Sequence, residues 1–109
     1  MKMDNYFDYN IATNKLFITK LHIPSLERRK GKGTLIINQL VEIAKNNECD
    51  AILVAANASK IALSFYLKNG FKPLINKEWK HINDILSGDN PLKIHSIGTN
   101  TTITLKKEI

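Results

Sequence analysis

The chain has 109 residues and a net charge of +6, a length that fits one domain with a modest core and leaves little room for a second. At 43% hydrophobic it can fill that core, but no apolar run approaches the ~18 residues that span a bilayer. The start, Met1-Lys2-Met3-Asp4-Asn5-Tyr6, lacks the apolar stretch of a secretory signal. The single cysteine, Cys49, excludes an internal disulfide and suits a reducing compartment, so a cytoplasmic location is expected, with no membrane partner.

The elements follow in order. Tyr6–Ala12 reads as a strand, Thr13-Asn14 as a turn, and Leu16–Ile23 as a second strand with two largely apolar faces, ended by Pro24. Thr34–Asn46 carries apolar residues at 36, 37, 40, 41, 43 and 44, one broad helical stripe. Ala51–Ala55 is a short, wholly apolar run typical of a strand covered on both sides by helices. Ser59–Asn69 is a second helix with Ser59 as N-cap, Ala62, Phe65 and Tyr66 on one face, and Gly70 as the left-handed C-terminal residue.

Phe71–Ile75 returns as a strand. Glu78–Leu86 is an amphipathic helix whose stripe is Trp79, Ile82, Ile85 and Leu86, and Thr101–Leu105 alternates as a half-buried strand. The order β-β-α-β-α-β-α-β predicts an α/β fold with a mixed sheet in a single domain, residues 1–109.

Chemistry concentrates between the second strand and the first helix. Four of the sixteen basic residues, Arg28, Arg29, Lys30 and Lys32, fall within five positions, interleaved with Gly31 and Gly33. A helix start carries unpaired N–H groups and the positive end of the macrodipole. Glycines let backbone curl around an anion, so this loop predicts a phosphate or pyrophosphate cradle. A Walker A loop fails, because Gly33 separates Lys32 from Thr34 and the upstream glycine is absent. The dinucleotide G-x-G-x-x-G pattern fails after Gly33 as well. What fits is Arg-x-x-Gly-x-Gly at Arg28, Gly31 and Gly33.

That loop resembles motif A of the GNAT family of N-acetyltransferases, and Phe65-Tyr66-Leu67-Lys68-Asn69-Gly70-Phe71 is similar to the family's motif B. The resemblance covers about Phe17 to Ile75 and implies a GNAT-like mixed sheet with helices on both faces and acetyl-CoA as co-substrate. It further implies that Arg28, Arg29, Lys30, Gly31, Lys32, Gly33 and Thr34 hold the pyrophosphate. Pantetheine would bond to backbone at Leu21, His22 and Ile23 as a false strand. Tyr66, the family's usual general acid, would protonate the departing thiolate. It lies seven residues after Ser59, about 10 Å along the helix.

Two departures stand out. Where many members carry a cofactor-contacting asparagine the chain has Ser59, which reads equally as a helix cap, and Asn57 is two positions away as a substitute. The family commonly has a strand and two helices before the hairpin, so the acceptor side is expected to be abbreviated or supplied elsewhere. No carboxylate on the second strand offers a general base. His22 is the one histidine there, with His81 and His95 further along read as surface residues. No grouping has zinc spacing, so no metal is expected.

Three functions compete. The first is an N-acetyltransferase acting directly on an amine of a protein or small molecule. The second is a CoA-binding or regulatory module with little catalysis. The third, weakest for want of a stacking motif, is a basic nucleic-acid-binding module. Trp79 reads as core, with an acceptor wall or a homodimer contact as the sharper alternative.

Overall fold

A computed structural model of the protein describes residues 6–22 and 31–109. Its elements are β1 (Phe7–Ala12), β2 (Lys15–Leu21), α1 (Lys32–Asn46), β3 (Ala51–Asn57), α2 (Lys60–Lys68), β4 (Lys72–Pro73), α3 (Glu78–Leu86) and β5 (Thr102–Glu108). This is the order expected from sequence. The strands hydrogen-bond in the order β1-β2-β3-β5-β4. The chain divides into two compact units: one runs to Leu53 and takes in Glu108–Ile109, the other spans Val54–Lys107.

In the first unit, β1 and β2 form an antiparallel hairpin in which Ala12 pairs with Lys15. The two residues between them, Thr13 and Asn14, have φ of 52° and 60°, the signature of a type I′ turn. Asp8 pairs with Lys20 and Tyr9 with Ile18, leaving Thr19 as a bulge. Leu16 and Ile18 are buried, whereas Phe17 is 38% exposed and Thr19 is exposed. β2 lies between two strands, β1 and β3, yet its burial is one-sided despite two largely apolar faces.

Helix α1 starts two residues earlier than its apolar stripe suggests, because Gly31 takes a left-handed conformation (φ 75°) at the N-cap and Lys32 and Gly33 are already helical. It buries Ile36, Ile37, Leu40 and Ala44. Beyond its C-cap, Glu48 turns left-handed (φ 60°) and the Cys49 N–H donates to Ala44 O at 2.8 Å. Cys49 is a free, buried thiol.

The Asp50 N–H donates to Asn14 O at 2.9 Å, and Lys15 Nζ sits 2.6 Å from Asp50 Oδ1. The starts of β2 and β3 therefore lie side by side and the strands run parallel. The ion pair is solvent-facing and worth no more than about 1 kcal/mol; its use is in fixing register. The Ile109 N–H donates to Asp50 O, so β5 ends where β3 begins and runs antiparallel to it. With antiparallel β1/β2 and β4/β5 pairs, the sheet is mixed.

In the second unit, Ser59 caps α2 as expected: its Oγ accepts from the Ala62 N–H at 3.3 Å. The helix stops by a Schellman arrangement. Gly70 is left-handed (φ 90°), its N–H donates to Leu67 O, and the Phe71 N–H donates to Tyr66 O. Lys107 Nζ closes the end by donating to Asn69 O at 2.8 Å. The buried residues of α2 are Leu63 and Tyr66; Ala62 and Phe65 are only half-buried.

The strand expected over Phe71–Ile75 shrinks to Lys72–Pro73, paired with Lys106 and Leu105. Just past it the Leu74 N–H still donates to Thr104 O at 3.0 Å, but the Leu74 and Ile75 side chains are exposed. Helix α3 has the predicted limits but buries only Ile82 and Ile85; Trp79 and Leu86 are half-buried. The connection from α3 to β5 is strapped across the start of α2. Lys60 Nζ donates to Gly88 O, the Ile61 N–H to Pro91 O, and the His95 N–H to Ala58 O. The Ala58 N–H in turn donates to Thr101 O. In β5 Ile103 and Leu105 are buried and Thr102 and Thr104 exposed, the predicted alternation.

Candidate functional site

The candidate residues fall into two groups. Ile23, Arg28, Arg29 and Lys30 lie outside the described residues. Of the first group, Gly31, Lys32, Gly33 and Thr34 form the N-terminus of α1. Only Gly31 has a positive φ, and a Cβ built there meets nothing within 4 Å. Gly33 is already helical, so of the two glycines only Gly31 uses left-handed backbone. No side-chain hydrogen bond caps this end, and its first turn holds no acidic residue. The first intrahelical bond runs from the Leu35 N–H to Gly31 O. The preceding amides thus face the positive end of the helix without an intrahelical acceptor.

At the end of β2, the His22 N–H donates to Tyr6 O at 2.8 Å. Backbone groups alternate sides along a strand, so those of Leu21 point away from β1 and are free of the hairpin ladder. Tyr6 was not singled out by sequence. It is 6% exposed, takes the His22 bond, and has Lys32 Nζ 5.3 Å above its ring centroid. Tyr6 thus joins the end of β2 to the first turn of α1. A tyrosine opening a strand gives no sequence signal for that role.

The second group lies on the β3–α2 junction. Asn57 ends β3 and is exposed, while Ser59 is 3% exposed with its Oγ engaged as cap. Of the two readings of Ser59, the helix cap is the one its hydrogen bond supports. Tyr66 is 7% exposed, edge-on to Phe65 (5.1 Å) and to Phe71 (5.2 Å). The Phe71 contact is the apolar contact that accompanies a Schellman stop. Sequence spacing in Phe65-Tyr66-x-x-x-Gly70-Phe71 therefore has a local cause: it ends the helix and locks the Tyr66 ring. Burial pushes the Tyr66 phenol up to about 12, because the charged form is poorly solvated there. At neutral pH the hydroxyl is fully protonated and available as a donor.

Sequence reading set His81 and His95 aside as surface residues. Both are half-buried, and they line one cleft of about 170 Å³ with Asp84, Ile85, Ser96 and Ile97. Their separation of fourteen positions hid this from the sequence. A second, open groove of about 390 Å³ in the other unit is lined by Phe7, Gln39, Glu42 and Ile43.

The acetyltransferase (GNAT) family model matches residues 3–71, more than half of the chain. The chain belongs to this family. No curated protein matches its sequence. Among solved structures it is similar to PaiA N-acetyltransferase from Thermoplasma acidophilum in complex with coenzyme A (16% identity, TM-score 0.67), covering 94% of this chain and 52% of that one. It is also similar to an IAA acetyltransferase from Bacillus cereus (18%, 0.64), with coverage of 94% and 68%. A third is a Bacillus subtilis acetyltransferase in complex with CoA (20%, 0.63), with coverage of 95% and 69%. The chain thus spans about half to two-thirds of the length of these structures, which share its fold.

Proposed function

We propose that the chain is an acetyl-CoA-dependent N-acetyltransferase, acting in the cytoplasm on an amine of a protein or small molecule. The observation that carries this is the N-terminus of α1: left-handed Gly31, no capping side chain, no acid in the first turn, all within a family sequence whose motif supplies Arg28 just upstream. Such an end favours an anion by hydrogen bonding and by dipole together. Gly31, Lys32, Gly33 and Thr34 would hold the pyrophosphate with Arg28, Arg29 and Lys30. Leu21, whose backbone points away from β1, would accept the pantetheine arm with His22 and Ile23, and Asn57 offers an exposed side chain beside the α2 start.

Acetyl-CoA, when bound, would supply a thioester: the lone pair of a neutral amine forms the N–C bond, the C–S bond breaks with its pair on sulfur, and the surplus proton on nitrogen passes to water. The residues of the chain do the rest. Tyr66 holds a proton on its hydroxyl at neutral pH and presents it as a hydrogen bond to a developing negative charge. A positioned acid of this kind is worth about 10² to 10⁴ in rate.

Calorimetry with acetyl-CoA tests the cradle. Gly33→Val puts a branched side chain into the first helical turn, where helix propensity does not disfavour the change, and should weaken binding severely. Arg28→Ala should weaken binding by about 1–3 kcal/mol, the range for hydrogen bonds to charged groups. Wild-type affinity in both variants would remove the pyrophosphate assignment.

A further inference from the structure

We propose that the outer edge of β1 pairs antiparallel with the same edge of a second copy of this chain, Tyr9 facing Tyr9 across a two-fold axis. β1 ends the sheet in the order β1-β2-β3-β5-β4, so among the described residues only one of its sides is paired. Which residues serve which side follows from the two ends of the hairpin. At one end the His22 N–H donates to Tyr6 O, so the backbone of Tyr6 turns toward β2. At the other, Ala12 and Lys15 flank a two-residue turn as its closing hydrogen-bonded pair. Backbone groups alternate along a strand, and the two ends agree: Asp8 and Asn10 also face β2. The N–H and C=O groups of Phe7, Tyr9 and Ile11 therefore face outward. The bulge leaves this parity intact, because its extra residue, Thr19, is on β2. The same three residues carry their side chains on one face, the one on which Leu16 and Ile18 are buried, and Phe7 and Tyr9 stack at 6.4 Å.

An open edge of this kind is a template for another strand, and proteins guard such edges with short strands, lysine and proline. The far edge of this sheet has all three, since β4 is only Lys72–Pro73. β1 has six residues, no lysine and no proline, and Asp8 is its one charge. Tyr9 and Ile11 remain 38% and 39% exposed. The sequence selects a second copy as the occupant because β1 is complementary to itself. With Tyr9 opposite Tyr9, Phe7 lies opposite Ile11 of the second copy and Ile11 opposite its Phe7. Each outward residue then meets an apolar one, and each such pair exchanges both of its backbone hydrogen bonds. Asp8 falls opposite Asn10 rather than a second carboxylate, with Lys20 paired to it on β2. The surface agrees with this register. The open groove of about 390 Å³ is lined by Phe7 and by Gln39, Glu42 and Ile43 of α1, and the pairing brings Ile11 of the second copy beside Phe7 at its mouth. A two-fold axis closes the assembly at two copies.

Sedimentation and light scattering over a concentration series test this. The mass should rise from one copy to two and stop there. Each copy carries a net charge of +6, so added salt should tighten the pairing by screening their repulsion. Ile11→Pro removes an outward N–H and no bond of the hairpin. It should weaken dimerisation about tenfold or more while keeping the wild-type circular dichroism spectrum. Tyr9→Lys sets two ammonium groups directly opposite each other and should do the same, deciding the matter if the proline variant does not fold. Cross-linking under mild oxidation reads the register. Pairs without mutual hydrogen bonds bring Cα atoms to about 4.5 Å, within disulfide range, and Asp8 with Asn10 is such a pair. A mixture of Asp8→Cys and Asn10→Cys copies should therefore form a mixed disulfide dimer, and Asn10→Cys copies alone should not. Cys49 is buried, and the wild type supplies its background. The proposal is overturned if the wild type stays monomeric throughout, which would leave the edge to another chain or another segment. It is equally overturned if the mass climbs past two copies, if association weakens with salt, if both folded variants dimerise like wild type, or if Asn10→Cys copies cross-link alone while the mixture forms no mixed dimer.

Discussion

Replacing Tyr66 by Phe removes one hydroxyl and leaves the ring. The edge contacts to Phe65 and Phe71, at 5.1 and 5.2 Å, persist, and so does the helix stop, which is made by backbone groups. No described residue hydrogen-bonds the hydroxyl, so stability at pH 7 should change by less than about 1 kcal/mol. The alkaline limb is where the variants part. The phenol has an ordinary value of 10.0 in the unfolded chain and is raised to about 12 by burial in the folded one. Below pH 10 both states keep the proton and nothing is lost. Above pH 10 the unfolded chain releases it while the folded chain cannot, so folding stability falls as pH rises. The slope is about 1.4 kcal/mol per pH unit, roughly 2–3 kcal/mol in all by pH 12. Urea melts of wild type and Tyr66→Phe at intervals from pH 8 to 11 isolate this limb, because every other group titrates in both. Turnover should fall by about 10² or more in the variant. The size of that loss has a physical ceiling: full transfer from a phenol near 12 to an ordinary thiolate near 8.5 is uphill by roughly 5 kcal/mol. On the proposed reading Tyr66 would therefore act through a hydrogen bond to developing charge more than through complete proton release. A flat stability difference across pH 9–11 would refute the desolvation argument, and unchanged turnover would move the acid role to water.

Two further substitutions probe how the Tyr66 helix is held. Gly70→Ala places a Cβ at left-handed backbone (φ 90°) and 2.7 Å from Lys107 Nζ, which should cost about 1–3 kcal/mol and lower Tm by several degrees; an unchanged melt would contradict the Schellman assignment. Ser59→Ala should cost about 1 kcal/mol as a lost N-cap while leaving acetyl-CoA affinity, read by calorimetry, unchanged, and a large loss of affinity would restore Ser59 as a cofactor contact.

What could be read from the sequence has a common physical origin: it was written in consecutive residues. The Ser59 cap, the Gly70 stop, the Thr13-Asn14 turn and the limits of α3 each depend on backbone chemistry within about five positions, and each stands as expected. The misreadings depend on partners far along the chain. Phe17 and Trp79 are apolar, yet their exposure is set by what covers them, which periodicity does not state. The strand expected after Gly70 covers only Lys72 and Pro73, and Leu74 and Ile75 beyond it are exposed, with no described residue packed over them to hold a longer strand. Gly31 and Gly33 look alike in the motif, but only the first is left-handed, because the helix begins between them. The same reasoning explains the histidines. His81 stands on a helix and His95 in a strap, and the His95 bond to Ala58 links the strap to the β3–α2 junction. Family motifs specify the helix ends that bind what all members share. The α3–strap segment lies beyond the matched residues 3–71, and there the chain places titratable and hydroxyl groups that the motifs do not prescribe.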